Sequence, residues 1–191
     1  VSSTKGGYRS TYDIDRSQAH VGWQGRFDGW RGRVQAYRSE IDIVNSASNG
    51  VAATRPQNLL DEVIDGHATF KLGGHQVTFG GEWRDETLTN AGLTTGRDSA
   101  THKALFVQDE VALGSSLMFT GGLRADNHEL FGSEVSPRAY LVWNTSDTWT
   151  LKGGVSRGYK TPTLNQLHSG INGVTGQGST ITIGSPDLDP E

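Results

Sequence analysis

Apolar and polar residues alternate along most of this chain, in runs bounded by short turn sequences. Ala19, Val21, Trp23, Gly25 and Phe27 share one parity, and His20, Gln24 and Arg26 share the other. A period of two marks a strand with one dry face and one wet face. Asp28-Gly29 supplies a tight turn, and Trp30, Val34, Ala36 and Val44 lie on the return strand. The pattern repeats three times. Leu60, Ile64, Ala68 and Phe70 turn at Gly73-Gly74-His75 into Val77, Phe79 and Trp83. Leu105, Val107 and Val111, interrupted by Asp109, turn at Gly114-Ser115-Ser116 into Leu117, Phe119, Leu123 and Ala125. Ala139, Leu141 and Trp143 turn at 145–148 into Trp149, Leu151, Gly153 and Val155. These runs predict eight antiparallel strands in four hairpins. Residues 1–8 read as the tail of a loop. Residues 45–57, 87–100 and 127–135 read as longer polar loops at the end opposite the tight turns.

The last 39 residues, Gly153–Glu191, set the asymmetry. Pro162 cannot donate to a ladder and turns Thr161 away from helix, so the final strand is expected to end there. Glycines at 170, 173, 176, 178 and 184 then argue for irregular structure. A loop of roughly 30 residues is far longer than ordinary connections and points to function. Tight turns at one end and long loops at the other are the asymmetry of an outer-membrane barrel.

Alternation alone also fits a soluble sandwich. Two features favour a membrane. The runs are about 10–15 residues long, against about 5–6 for strands of globular proteins. Phe27 with Trp30, and Trp143 with Trp149, flank tight turns, where an interfacial aromatic girdle would lie. Only 34% of residues are hydrophobic and 26 of 191 are Gly, which suits turn-punctuated strands rather than packed helices. No apolar run is long enough for a transmembrane helix, and this says nothing against a barrel. The absence of Cys excludes disulfides and thiolate metal sites. A net charge of −4 offers no field for nucleic acid.

Gly158-Tyr-Lys-Thr-Pro-Thr-Leu-Asn-Gln-Leu-His168, followed by Ser185-Pro-Asp-Leu-Asp-Pro-Glu191, resembles a paired signature of TonB-dependent outer-membrane receptors. The usual second half reads Asn-Pro-Asp-Leu-Lys-Pro-Glu, so Ser185 and Asp189 depart from it. Phe106-Val-Gln-Asp-Glu110 and Gly122-Leu-Arg124 are similar to adjoining strands of the family. Gly170-Ile-Asn-Gly-Val-Thr-Gly-Gln-Gly178 is similar to the colicin I receptor branch, which takes up iron bound to catecholate siderophores. The resemblance implies an all-β, antiparallel wall sector of a barrel of about 22 strands, with residues 1–191 a partial barrel domain. It further implies a plug domain and TonB-box elsewhere, in the outer membrane of a Gram-negative bacterium. The parent would import a ferric siderophore with energy from TonB, and colicins could exploit its outer loops. Iron would arrive inside the siderophore, with no resident cofactor.

A ferric catecholate is anionic and aromatic, so cationic and aromatic side chains near the loop end are the ligand candidates. These are Arg55, Arg97, Arg124, Arg157, Tyr159, Lys160, Gln166 and His168. The plainer alternative is that cations in a wet bore pair with Glu82, Glu110 and Asp126. Six scattered His show no zinc spacing. Asp126 and His128, two apart on one face, leave an outer-membrane hydrolase as a rival reading. A self-contained eight-stranded barrel of structural or adhesive type is another.

Overall fold

The ladder follows the alternation and runs past it. The computed structural model describes residues 2–5, 8–47, 57–91, 93, 95–175 and 179–191. One nine-stranded antiparallel meander contains β1 (Ser2–Lys5), β2 (Tyr8–Phe27), β3 (Trp30–Ala47), β4 (Gln57–Leu72), β5 (His75–Asn90), β6 (Arg97–Ala112), β7 (Leu117–His128), β8 (Gly132–Asn144) and β9 (Thr150–Ser156). The eight expected strands are β2–β9, each paired with its sequence neighbour. Tight turns close β2–β3, β4–β5 and β6–β7 at one end, with Gly29, Gly73 and Gly114 at positive φ. Gly bears such a conformation without a Cβ clash.

Four boundaries differ from the sequence reading. Ser2–Lys5 pairs with Tyr8–Thr11 instead of trailing as a loop. The loop read at 87–100 shrinks to the connection between Asn90 and Arg97, and that at 127–135 to the one between His128 and Gly132. Ladder hydrogen bonds are indifferent to side-chain polarity, so these strands continue through polar residues once their neighbours are paired. Strand β9 stops at Ser156, well before Pro162. The final stretch is also not one irregular loop. It contains the single-turn helix α1 (Leu164–Leu167) and a hairpin of β10 (Ile171–Thr175) and β11 (Thr180–Ile183).

Direct cross-strand partners assign every residue to a face. One row reads Phe27, Trp30, Phe70, Val77, Asp109, Gly121, Ala139. Its aromatics stack in sequence, with centroids 4.4 Å apart for Phe27–Trp30 and 5.8 Å for Trp30–Phe70, and Phe70 stacks in turn on Phe79 of the next row on the same face at 5.5 Å. Above it the same face carries Val21, Val34, Ile64, Leu105, Val107 and Leu123, all about half exposed or more. This is an apolar outer band with an aromatic girdle at the turn end, the profile of a lipid-facing wall. Higher still, the outer face turns polar at Arg38, Glu62, Asp85 and Thr101, so the strands overshoot the band.

The opposite parity is polar over most of its height. At the loop end it becomes apolar, where Leu164 of α1 packs on Leu88 and Ala100, with Leu59 and Leu93 around them. The chain beyond β9 therefore folds back so that α1 lies over the inner face of β5 and β6. Two backbone hydrogen bonds between Lys160 and Glu191 (3.0 and 2.9 Å) and one from Ser185 N to the Gln166 carbonyl (2.7 Å) hold it closed.

A cationic cleft on the inner wall

Where β6, β7, β8 and β9 run side by side, the inner face opens into a cleft of 470 Å3. Phe106, Gln108, Arg124, Asp126, Ser136 and Arg138 line it, and Arg157 and Tyr159 reach in from beyond β9. The strand register explains the grouping, because Phe106, Arg124 and Ser136 are consecutive cross-strand partners. One register step toward the turns, Gln108, Gly122 and Arg138 follow in the same way.

The charges are organised around Asp126, which is 4% exposed. It accepts Arg124 Nε at 2.9 and 3.1 Å on its two oxygens, and His102 Nε2 lies 2.9 Å from Oδ1. Arg157 pairs with Glu134 at 2.9 Å but remains largely exposed. Arg138 has no carboxylate partner among the described residues. Two polar atoms of the lining, the Tyr159 hydroxyl and Ser136 Oγ, are buried without a hydrogen-bond partner among the described residues. Burial raises the Tyr159 pKa above the usual phenol value, and the Asp126 and Glu134 charges add to the shift. A phenol below its pKa carries its proton, so this hydroxyl is available as a hydrogen-bond donor. A buried orphan of this kind costs about 1–3 kcal/mol, and a bound acceptor relieves it.

The candidates named from sequence separate. Arg124, Arg157 and Tyr159 meet in the cleft, whereas Arg97 begins β6 on the outer parity and is exposed. Lys160 lies beside Gln166 and Glu191 in a separate, smaller hollow. The Gln166 side chain turns inward to the helix start, where its Oε1 accepts Thr163 N at 2.9 Å. His168 is 6% exposed and its Nδ1 accepts Gly170 N at 3.0 Å. Arg55 lies outside the described residues. Arg138 and Phe106 were not among the sequence candidates. The parity of β8, carried across from Gly122, would have pointed to Arg138. Asp126 and His128 are each engaged elsewhere, the latter accepting Leu130 N through Nδ1 at 3.2 Å.

A lipid-facing outer band, a polar inner wall and long strands closed by tight turns at one end define a sector of an outer-membrane β-barrel. The chain matches the TonB dependent receptor-like beta-barrel family over residues 2–191 and belongs to that family. It is 35% identical over 142 residues to the iron-regulated outer membrane virulence protein of Vibrio cholerae, covering 72% of this chain and 22% of that one. It is 30% identical over 153 residues to the ferric enterobactin receptor PirA of Pseudomonas aeruginosa, covering 65% and 20%. The fold matches the crystal structure of the siderophore receptor PirA from P. aeruginosa with a TM-score of 0.79 at 24% identity, over 96% of this chain and 36% of that one. A mutant of the P. aeruginosa ferric enterobactin receptor PfeA, in complex with enterobactin, matches with a TM-score of 0.77 at 22% identity, over 96% and 31%. The chain spans about a fifth of the length of the curated relatives it matches.

Proposed function

We propose that this wall sector belongs to a receptor that binds a ferric siderophore of the catecholate type and imports it with energy from TonB. The cleft carries this reading. It sets three arginines, two orphaned hydroxyls and the Phe106 ring around one open volume. A triply charged, aromatic-rimmed metal complex calls for guanidinium donors and ring faces. The relatives named for ferric enterobactin support the choice of class. Iron stays within the siderophore, and the wall supplies recognition rather than metal ligands. Similarity to the colicin I branch rests on residues 170–178, of which 176–178 lie outside the described residues, so use by colicins has no further support here. The test is titration of the full-length receptor, in detergent, with ferric enterobactin and with a ferric hydroxamate. Tight binding of the first alone is the expected result, and preference for the hydroxamate would overturn the reading.

A further inference from the structure

Arg124 is gripped by one nitrogen only. Arginine–carboxylate pairs commonly fork, with two parallel N–H donors meeting the two oxygens. Here both Asp126 oxygens rest on the single Nε, at 2.9 and 3.1 Å. Neither terminal nitrogen of Arg124 donates to any group among the described residues. The side chain is 36% exposed and lines the cleft, so both terminal nitrogens are available to an anion there.

The group that keeps Asp126 in this pose lies one register step farther toward the loop end. His102 and His128 are direct cross-strand partners on β6 and β7, on the same inner parity as Asp126. His102 Nε2 lies 2.9 Å from Asp126 Oδ1, the oxygen that also takes Arg124 Nε at 2.9 Å. A carboxylate only accepts, so Nε2 carries the proton and donates it. The ring is confined on its other sides. His128 packs with its centroid 5.8 Å away, and Glu82 Oε1 lies 3.9 Å from Nδ1. Glu134, the direct partner of Asp126 on β8, is taken by Arg157 at 2.9 Å. Asp126 is almost wholly buried, so solvent would not replace a donor lost from Oδ1. Without His102 the carboxylate would gain by turning onto Arg124 in the ordinary fork, which would withdraw a terminal nitrogen from the cleft.

We infer that His102 is a positioning residue for anion recognition in the cleft. By holding Asp126 Oδ1 it confines the carboxylate to Arg124 Nε and leaves both terminal nitrogens to the ligand. His102 does not itself line the cleft and acts only through Asp126. This inference rests on the reading of the cleft as an anion site.

The test uses the full-length receptor in detergent, with ferric enterobactin as the probe and the substitutions His102→Leu, His102→Gln and Arg124→Ala. Gln Nε2 stands as many bonds from Cβ as His Nε2 does and is a donor, whereas Leu offers none. His102→Leu should weaken binding about tenfold, the lower end of what a hydrogen bond to a charged group contributes. His102→Gln should restore most of that loss. Added to Arg124→Ala, His102→Leu should change affinity less than about twofold, because the two residues act in series. Phenylglyoxal, which condenses with the terminal nitrogens of a guanidinium, gives a readout without ligand. Peptide mapping should find Arg124 modified alike in wild type and His102→Gln, and several times more slowly in His102→Leu. Equal modification in all three overturns the inference. So does a His102→Leu receptor of wild-type affinity, a loss that His102→Gln does not restore, or one that persists in full beside Arg124→Ala. An Arg124→Ala receptor that binds like wild type overturns the cleft reading and the use of Arg124 by the ligand together, while the labelling still shows whether His102 sets the guanidinium.

Discussion

Phe106 lies over Gly80, its cross-strand partner, so closely that a Cβ on Gly80 would come 2.6 Å from Phe106 Cζ. The same atom would also clash with the Gly66 carbonyl oxygen. The aromatic floor of the cleft thus depends on a missing side chain on the next strand. Gly80→Ala should displace Phe106 and cost about 1–3 kcal/mol, the usual range for overpacking. The check is the thermal midpoint in detergent, read together with ferric enterobactin affinity. Unchanged values of both would show that the ring does not rest there.

Arg124 and Arg97 make a paired comparison. Arg124→Ala removes a charge-assisted donor from the cleft, which is worth about 1.5–3 kcal/mol, roughly a 10- to 150-fold loss of ferric enterobactin affinity. Arg97 lies on the outer parity, so Arg97→Ala should change affinity less than about twofold. Equal losses from the two would dissociate the cleft from binding.

The Tyr159 hydroxyl should reveal itself by opposite effects. Tyr159→Phe removes a buried, unpartnered group and should leave the ligand-free protein as stable or up to about 1 kcal/mol more stable. With ligand present it should weaken binding. The raised pKa also fixes a pH dependence. Stability linked to the neutral phenol is complete below the unfolded value of about 10 and is lost as pH rises through the higher folded value. Ultraviolet titration of wild type against Tyr159→Phe should show one phenol ionising later than free tyrosine does.

Trp30 and Trp149 both flank tight turns, yet only Trp30 sits in the ring stack, between Phe27 and Phe70. Trp149 is 69% exposed. Trp30→Ala forfeits two aromatic pairs of about 0.5–1.5 kcal/mol each and should lower the thermal midpoint in detergent. Trp149→Ala should lower it less, and the reverse order would contradict the girdle.

Leu164 is 2% exposed and fastens the returning chain to Leu88 and Ala100. Leu164→Ala should weaken that attachment by about 2–5 kcal/mol. Residues 157–191 should then be cut far faster in limited proteolysis while β2–β9 stay intact.

The period-two pattern revealed the eight strands, the turn positions and the outer face, because lipid leaves no freedom in that alternation. It failed where strands rise beyond the apolar band. Thr87, Thr89 and Ser99 are paired, yet nothing in their polarity distinguishes them from loop residues. The folding of 157–191 was hidden for another reason. Leu164 and Leu167 form too short an apolar signal, and the burial that fixes them comes from Leu88 and Ala100 on other strands. Half the cleft was legible, since Arg124, Arg157 and Tyr159 stand near the loop end of the chain's last strands. Arg138 directly follows Pro137, a residue that reads in sequence as a strand boundary, yet both lie within β8, and only the register sets Arg138 beside Gly122.

The inner row of Phe106, Arg124 and Ser136 lies between the outward rows that contain Leu105, Ala125 and Val135 and Val107, Leu123 and Pro137. Those rows belong to the lipid-facing band. Whatever occupies the cleft has therefore passed below the level of the headgroups and sits within the thickness of the membrane. Surface agents too bulky to enter the bore could slow its arrival but could not dislodge it. Departure would depend on the groups that line the cleft, so capture and retention become separable steps, the first set by the rim and the second by the wall.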